Sequence, residues 1–467
     1  MQAPYLPLFD STLELDEDAR RRIGLTTALL FVRRQEWVHR RVELVTFADQ
    51  DVIRRSNSID FTLPRWTAAY LKVSKSEPSK IAVPIALLRK ATLAHFNLSD
   101  EGSNAIPLLS GTQVGPLAEL ALLATAELAL ESDNIHSSIA AAIRQLTWDR
   151  RADDDQGGQR PSSAAFECLF SPDEPEPESR LLLKRHPIFL PLAEAFDENY
   201  IAAVLLTIAG GDRRVVHFAY DEMISETGND QVHRRRTIRE LFKGNLSRRV
   251  LVLASSAGDA ESFHMEAEAP EGLRISSRVT FTYAQKDARR TNIEEPVEKS
   301  GSYQRSHIHC NDVHASDRLA VVLRVGPRSS TVVRGAALTA ALTLLAVIYI
   351  RIQIHHINRH GAASTATVLL VIPTILSLWI ARSNEHPATT YLLWPLRIVA
   401  TAPAIFGLIA ASVLITGSTS FSGETVLATI IGLLTMATWI LVSTWRGASG
   451  RQARYRSLRR SKSKVAG

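Results

Sequence analysis

The sequence predicts a multidomain membrane protein, in which a cytosolic α+β region and an antiparallel β-sandwich-like region precede a four-helix transmembrane bundle. Three observations lead to this fold class. Four long apolar stretches follow one another after residue 330. Strand-like alternation and Ala/Leu-rich helical segments share residues 1–148, and short alternating segments recur over residues 181–330.

The apolar stretches cover residues 331–354, 361–381, 392–415 and 425–445. Because about 20 apolar residues in a helix cross the hydrocarbon core of a bilayer, each stretch predicts one span, and the bundle occupies residues 331–446. No Asp, Glu or Lys lies inside a span. Ion-coupled transporters usually carry ionisable groups at mid-depth, so this pattern argues against coupled transport.

The first region, residues 1–148, mixes strands with helices. The apolar run Ile23–Val32 is flanked by arginines on both sides and lacks a cleavage site, so it indicates a buried core segment and not a signal peptide. The alternation of apolar and polar residues and the Ala/Leu-rich composition then predict two strands within 35–65 that turn at Asp49–Asp51, strands at 81–89 and 91–98, and helices at 116–131 and 137–146.

The first of these strands has two chemically different faces. Val38, Val42 and Leu44 share one face, and Arg41 and Glu43 share the other. The Arg-rich segments 33–41 and 233–236 have the charge to bind phosphates or anionic lipid. We expect them instead to be the solvated faces of a strand and a helix.

Residues 149–180 are rich in acids, Pro, Gly and Ser, which predicts a linker or a long surface loop. Inside this segment, FECLF (166–170) is apolar. We interpret it as a strand or another packing element of the flanking domain, with a partner-binding motif as the alternative.

Residues 181–330 predict a membrane-proximal, mainly-β region. A hairpin is expected to turn at Gly210–Asp212, and a short helix is expected within 230–244. The last strand lies within about ten residues of the first span, so this region should sit on the membrane surface. Whether 1–148 and 181–330 are two domains, or one domain with an insertion, stays open. Further strands are predicted at 248–255, 261–269, 273–284, 303–310 and 318–325.

Charge divides the chain. Residues 331–467 hold 13 of the 54 Lys and Arg residues and 2 of the 48 acidic residues, so the net charge is −5 before residue 331 and +11 after it. The basic tail 447–467 predicts a cytoplasmic C-terminus with anionic-lipid contacts. Four spans then place the N-terminus in the cytoplasm too, with the plasma (inner) membrane as the location. The acidic soluble half argues against nucleic-acid binding. One feature fits this topology less well, since Arg351 and Arg359 lie in the predicted outer loop.

Two histidine groups are candidate metal ligands. In SHIHCNDVH, His307 and His309 share one face of a strand and His314 can return after a turn, while Cys310 points the other way. The other group, in the predicted outer loop, is explained as well by interfacial or exposed side chains. It consists of His355, His356 and His360.

The segment ESFHMEAEAPEG brings Glu261, His264, Glu266 and Glu268 close together, and we interpret them as solvated charges on a half-exposed strand and not as an acid/base pair. The common nucleotide, dinucleotide, zinc-protease and serine-hydrolase motifs do not occur. The two cysteines form no CxxC pair and predict reduced thiols. We therefore assign no catalytic, cofactor-binding or metal residue, and no cofactor.

Three hypotheses about function remain. The first is a non-enzymatic binding, sensing or scaffolding module held at the membrane by the bundle, with a protein partner or a homo-oligomer as further possibilities. The second is a gated pore or transport component. The third is a membrane-anchored metal-dependent enzyme centred on His307, His309 and His314.

Overall fold

The computed structural model describes most of the chain, in separate stretches. These stretches are 16–49, 51–71, 80–90, 94–148, 161–171, 174–207, 213–223, 248–254, 257–271, 273–284, 291–293, 305–311, 317–327, 331–353, 371, 375, 386–415 and 425–443.

Helices and strands alternate in blocks along these residues. The helices are α1 (Glu17–Val32), α2 (Arg34–Trp37), α3 (Arg65–Tyr70), α4 (Gly111–Leu130), α5 (Ser137–Trp148), α6 (Pro161–Phe170), α7 (Pro177–Arg185), α8 (Phe189–Glu198), α9 (Thr331–Gln353), α10 (Pro387–Ile415) and α11 (Thr425–Ser443). The strands are β1 (Val38–Phe47), β2 (Val52–Thr62), β3 (Lys80–Arg89), β4 (Ala94–Asp100), β5 (Asn199–Thr207), β6 (Arg213–Met223), β7 (Arg248–Ala254), β8 (Ser262–Glu268), β9 (Leu273–Ala284), β10 (Thr291–Ile293), β11 (Arg305–Asn311) and β12 (Asp317–Pro327).

A layer of helices forms one side of the soluble half. Helix α1 begins at Asp16, whose side chain accepts a hydrogen bond from the backbone N–H of Ala19. Helix α4 begins with a capping box in which Ser110 and Gln113 satisfy each other's backbone N–H groups. The apolar faces of α1 and α4–α8 meet in one hydrophobic core, which the side chains of β3 and β5 close.

Strands β3 and β5 pair antiparallel as a two-stranded sheet that forms the middle layer. Successive side chains on a strand point to opposite faces. Ala82 and Ala203 accordingly belong to the core under the helices, while Val83 and Val204 belong to a second core that faces the largest sheet.

The largest sheet has six strands in the order β11-β8-β1-β2-β6-β4. Strands β1 and β8 are parallel, and the other neighbours are antiparallel, so the sheet is mixed. Four more strands, in the order β10-β9-β12-β7, form a separate antiparallel sheet. A third core, which includes Val45, Phe263 and Val321, contains buried residues from both sheets.

The large sheet joins both halves of the soluble region. Strands β1, β2 and β4 precede the predicted linker 149–180, and β6, β8 and β11 follow it. Hydrogen-bonded neighbours in this sheet therefore come from both sides of that segment.

The predicted hairpin is wrong. Strands β5 and β6 exist, but they do not form a hairpin, because β5 pairs with β3 and β6 pairs with β2 and β4. The expected turn, 210–212, lies outside the described residues. FECLF is helical and lies in α6, where Leu169 is fully buried in the helical core, so the packing interpretation is confirmed but not as a strand. The helix expected within 230–244 also lies outside the described residues.

Among the residues that the structure describes, three helices are long and apolar enough to cross a membrane: α4, α9 and α11. Helix α4 packs in the core under the helical layer, which accounts for its apolar composition. The apolar part of α10, Arg397–Val413, is shorter, although the helix itself has 29 residues. Helices α9, α10 and α11 pack together through a core that includes Val347, Ala410 and Leu434. Predicted span 361–381 lies outside the described residues, apart from the single helical positions 371 and 375.

Candidate functional site

Two polar clusters lie on opposite faces of the six-stranded sheet. The inner charged row consists of Arg41, Glu43, Arg55 and Asn57 on β1 and β2. The sequence predicts a solvated face for Arg41 and Glu43, but all four side chains are buried. The apolar Val42 and Leu44 lie on the outer, partly exposed face instead. The prediction of solvated arginines in segment 33–41 is therefore wrong for Arg41, and also for the buried Arg34.

The inner charged row lies where two hydrophobic cores meet. Towards one end of β2, Ile59 and Phe61 belong to the core that faces the two-stranded sheet. Towards the other end, Ile53 belongs to the core shared with the four-stranded sheet. Arg55 and Asn57 occupy the buried positions between these residues.

Each arginine of this region faces a carboxylate or an amide. Arg55 donates from Nη1 to Glu43 Oε1 at 2.7 Å, and its Nε lies 2.6 Å from Glu222 Oε2. Arg41 donates to Asn57 Oδ1 at 2.9 Å. Arg34 donates from Nη1 to Asp259 Oδ2 at 2.7 Å.

The pKa values of the region reflect burial and pairing. Burial opposes the charge of Arg55, but the combined effects of Glu43, Tyr220 and Glu222 outweigh it and raise the pKa of that guanidinium. Burial lowers the pKa of Arg34, although Asp259 acts in the opposite direction. Burial also raises the pKa of Tyr220 to about 12. A carboxylate or an amide facing each buried guanidinium is the arrangement by which proteins tolerate buried charge, so we interpret the row as structural.

The second cluster, the histidine cluster, consists of His264 on β8 and His307 and His309 on β11. It lies on the outer face of the sheet, at the edge that β11 forms. His309 is directly opposite His264 in the antiparallel register, and Glu266 is directly opposite His307. The alternation of these strands buries the residues between them, such as Met265 and Ile308, and leaves the imidazoles partly or fully exposed.

The three rings are in close contact. His264 Nδ1 lies 3.3 Å from His307 Nε2. The ring of His309 stacks on that of His264 with 4.3 Å between centroids and an interplanar angle of 20°. On the other side of the ring, Ser262 Oγ lies 3.1 Å from His264 Nε2 and 3.4 Å from His309 Nε2.

Like charges around His264 disfavour its protonation. Desolvation lowers the pKa of His264 to about 4, and His309, Arg40 and His307 each contribute to the lowering by electrostatic repulsion. At neutral pH the imidazole is therefore uncharged, and one of its ring nitrogens carries a free lone pair.

Sequence reasoning finds part of this cluster. The strand period correctly places His307 and His309 on one face. The predicted third partner, His314, lies outside the described residues, as do His355, His356 and His360. The sequence alone gives His264 the pattern of a solvated residue, because nothing in either segment shows that β8 and β11 are neighbours. Glu261, at the start of that segment, is exposed.

The ring nitrogens of such a cluster can either point to one common position or point apart. Among the residues that the structure describes, no group of three or more His, Cys, Asp or Glu side chains could hold a metal ion. The pair His264 and His307 is close, and His309 is stacked beside it.

Comparison with known proteins adds no family. No protein-family model matches this chain, and no curated protein matches it.

Proposed function

We propose that the protein is a multi-pass integral membrane protein whose large cytosolic N-terminal half is a non-enzymatic binding, sensing or scaffolding module. The observation that carries the proposal is a double connection between the soluble half and the membrane helices. Strand β12 ends at Pro327 and α9 begins at Thr331. In addition, Thr389 Oγ1 in the first turn of α10 donates a hydrogen bond of 2.7 Å to the backbone carbonyl of Glu271.

This connection supports a bundle of four spans. Helix α9 starts at the soluble half and leads away from it, whereas α10 starts beside Glu271 and so at the soluble half again. If both helices cross the bilayer, the chain between them must cross it as well, and 361–381 is the apolar segment available for that crossing. Helix α11 then completes the bundle.

The length of α10 agrees with a junction at the membrane surface. A helix of 29 residues is about 43 Å long, whereas the hydrocarbon core is about 30 Å thick. We place the extra turns at the N-terminal end, between the bilayer and the soluble half. The four-stranded sheet and the facing part of the large sheet would form the sandwich-like, membrane-proximal region.

The location follows from the basic C-terminal tail. Segment 447–467 carries no acidic residue, so it favours the cytoplasmic face of the plasma (inner) membrane and contacts anionic lipid there. With an even number of spans, both termini are cytoplasmic. Reporter fusions after residue 330, within 355–360, within 416–424 and at the C-terminus should therefore be located inside, outside, outside and inside.

The charged residues of the described membrane helices favour an anchor over a pore. They are Arg334, Arg351 and Arg397, and the first two lie within a turn of the ends of α9. A flux assay with the full chain in liposomes separates the two functions. We expect ion permeability equal to that of protein-free liposomes, with a known pore as the positive control. Protein-dependent flux would instead support the gated-pore alternative.

A further inference from the structure

We propose that the buried residues Arg34, Arg41 and Asn57 bind one small inorganic anion of the charge and size of chloride. These three residues, the donor group, lie beside Asp259 in the interior of the soluble half. The proposal goes beyond the proposed function, because it assigns a ligand to this interior and makes that ligand a structural part of the inner charged row.

The donor group contains more N–H groups than its neighbours accept. Arg41 donates from Nη2 to Asn57 Oδ1 at 2.9 Å. Among the described residues, no side chain or carbonyl accepts a hydrogen bond from Nε or Nη1 of Arg41, from Nδ2 of Asn57 or from Nε of Arg34. All of these atoms are donors, and each of the three residues is only 3 % exposed. Buried donors without an acceptor are costly, so an acceptor placed among them would stabilise the fold.

The orientation of the Asn57 amide follows from its neighbour. A guanidinium only donates hydrogen bonds, so the amide oxygen faces Arg41, and the amide nitrogen keeps two N–H groups that Arg41 cannot accept. Asn57 on β2 is diagonal to Arg41 on β1, because Arg41 pairs with Ile59 and Glu43 pairs with Asn57. The register of two central strands therefore holds these donors together.

Formal charge differs between the two ends of this polar region. Around Arg55, two carboxylates face one guanidinium. Around the donor group, one carboxylate faces two guanidinia, since Asp259 Oδ2 lies 2.7 Å from Arg34 Nη1 and 3.9 Å from Arg41 Nη1. The longer distance is that of an ion pair and exceeds the length of a hydrogen bond. The donor group with Asp259 thus carries one excess positive charge, which a monovalent anion would balance.

The two arginines also repel each other. Burial lowers the pKa of Arg34 most, Asp259 acts in the opposite direction, and Arg41 lowers this pKa further by electrostatic repulsion. The surroundings of Arg41 are apolar, because its cross-strand neighbours are the buried Ile59 and Phe263. A low local dielectric strengthens such charge interactions. An anion beside both guanidinia would offset the repulsion.

An anion suits the donor group better than water does. Buried water makes about three hydrogen bonds, both as donor and as acceptor, and it carries no charge. An anion accepts from several N–H groups, and hydrogen bonds between charged partners are roughly twice as strong as neutral ones. Close packing of the interior favours a small ion. The side chain of Asp259 is 19 % exposed, so it marks the side from which the ion would enter.

Urea unfolding in two sodium salts tests the site. The full chain is purified without chloride in a nonionic detergent, and tryptophan fluorescence gives the urea midpoint in chloride or in gluconate. Gluconate is a bulky anion that cannot enter a buried site, and equal ionic strength keeps the screening equal. We expect the midpoint to rise more steeply with chloride. Above the dissociation constant, each tenfold increase in chloride should multiply the ratio of folded to unfolded chain by up to ten.

Arg41→Gln is the decisive variant, because it removes the excess charge and most of the donors that lack an acceptor. The chloride dependence of its midpoint should be lost, whatever the change in its stability. Arg40→Gln is the matched control, since the same substitution then falls one residue earlier on β1, at an exposed side chain. This control should keep the full chloride dependence. General effects of each salt act on both variants, so the difference between them reports the site.

A second variant covers the case in which Arg41→Gln does not fold. Asn57→Asp places a fixed carboxylate beside Arg41, which would exclude the anion and abolish the same chloride dependence. Two results would overturn the proposal. In one, the midpoint of the unsubstituted chain rises no more steeply with chloride than with gluconate, so that water alone meets the donor group. In the other, the chloride dependence persists in Arg41→Gln or its substitute, so that chloride acts elsewhere.

Discussion

The inner charged row and the histidine cluster lie on opposite faces of the same sheet and differ in how their groups are matched. In the inner row, the Arg55 guanidinium meets the carboxylates of Glu43 and Glu222. These opposite charges compensate each other in the buried sheet face. In the histidine cluster, three groups of the same kind meet one another. There the rings hydrogen-bond to one another and to Ser262, since a neutral imidazole has one N–H donor and one acceptor nitrogen.

The largest effect is expected in the inner row. Glu43→Ala leaves the buried Arg55 with an incomplete set of partners, and removal of one partner of a buried ion pair costs about 3–5 kcal/mol. Urea unfolding of the full chain in detergent, followed by tryptophan fluorescence, measures the change. Glu266→Ala on the outer face is the control and should stay within about 0.5 kcal/mol. Equal losses in the two variants would contradict the contrast between the faces.

A double-mutant cycle sharpens the same point. If Glu43 and Arg55 stabilise each other, Glu43→Gln and Arg55→Met together should cost less than the sum of the two single changes. For residues in contact the coupling free energy is about 0.5–3 kcal/mol. Strict additivity of the three unfolding free energies would show that the pair does not act as a unit.

Acid should lower the stability of the protein through His264 of the histidine cluster. The pKa of His264 is lowered from 6.5 to about 4, so between these values the unfolded chain binds a proton that the folded chain does not. Stability therefore falls as pH drops from about 6.5 towards 4, and is unaffected by this group above that range. Because the ring is partly exposed, we expect less than the loss from Glu43→Ala. His264→Gln should flatten the pH dependence of the urea midpoint, and an unchanged dependence in this variant would contradict the account.

The smallest effect is expected for an ion pair on the outer face. Arg213 on β6 donates to Asp60 on β2 and its side chain is 68 % exposed. Exposed pairs of this kind contribute little to stability, so Arg213→Ala should cost the least of these changes. Added salt should reduce the difference further. A loss as large as that of Glu43→Ala would show that burial does not separate the two faces.

Local sequence patterns predict where the helices and strands lie better than they predict which strands pair. The strand 273–284, the helix start near residue 331 and the turn between β1 and β2 follow from periodicity and turn residues, which act over a few positions. The pairing of β5 with β3, and of β11 with β8, joins residues far apart in sequence. No local period encodes such pairing.

Both polar clusters depend on this non-local pairing. The pattern of β1 alone predicts a solvated Arg41, and only the layers packed on that face bury it. His307 and His309 can be placed on one face from their spacing, but His264 joins them through the register of another strand. The stretch 361–381 needs no such information, because its apolar composition alone predicts a span.

The central claim, that the soluble half and the start of α10 share the cytoplasmic side, is tested most directly by labelling single cysteines in intact cells. In a chain with Cys168 and Cys310 replaced by Ser, we would introduce Ser329→Cys, Ser383→Cys or Ser420→Cys and add a membrane-impermeant maleimide from outside. We predict that Ser420→Cys is labelled at once, whereas Ser329→Cys and Ser383→Cys are labelled only after the membrane is permeabilised. Opposite behaviour of Ser329→Cys and Ser383→Cys would contradict the claim.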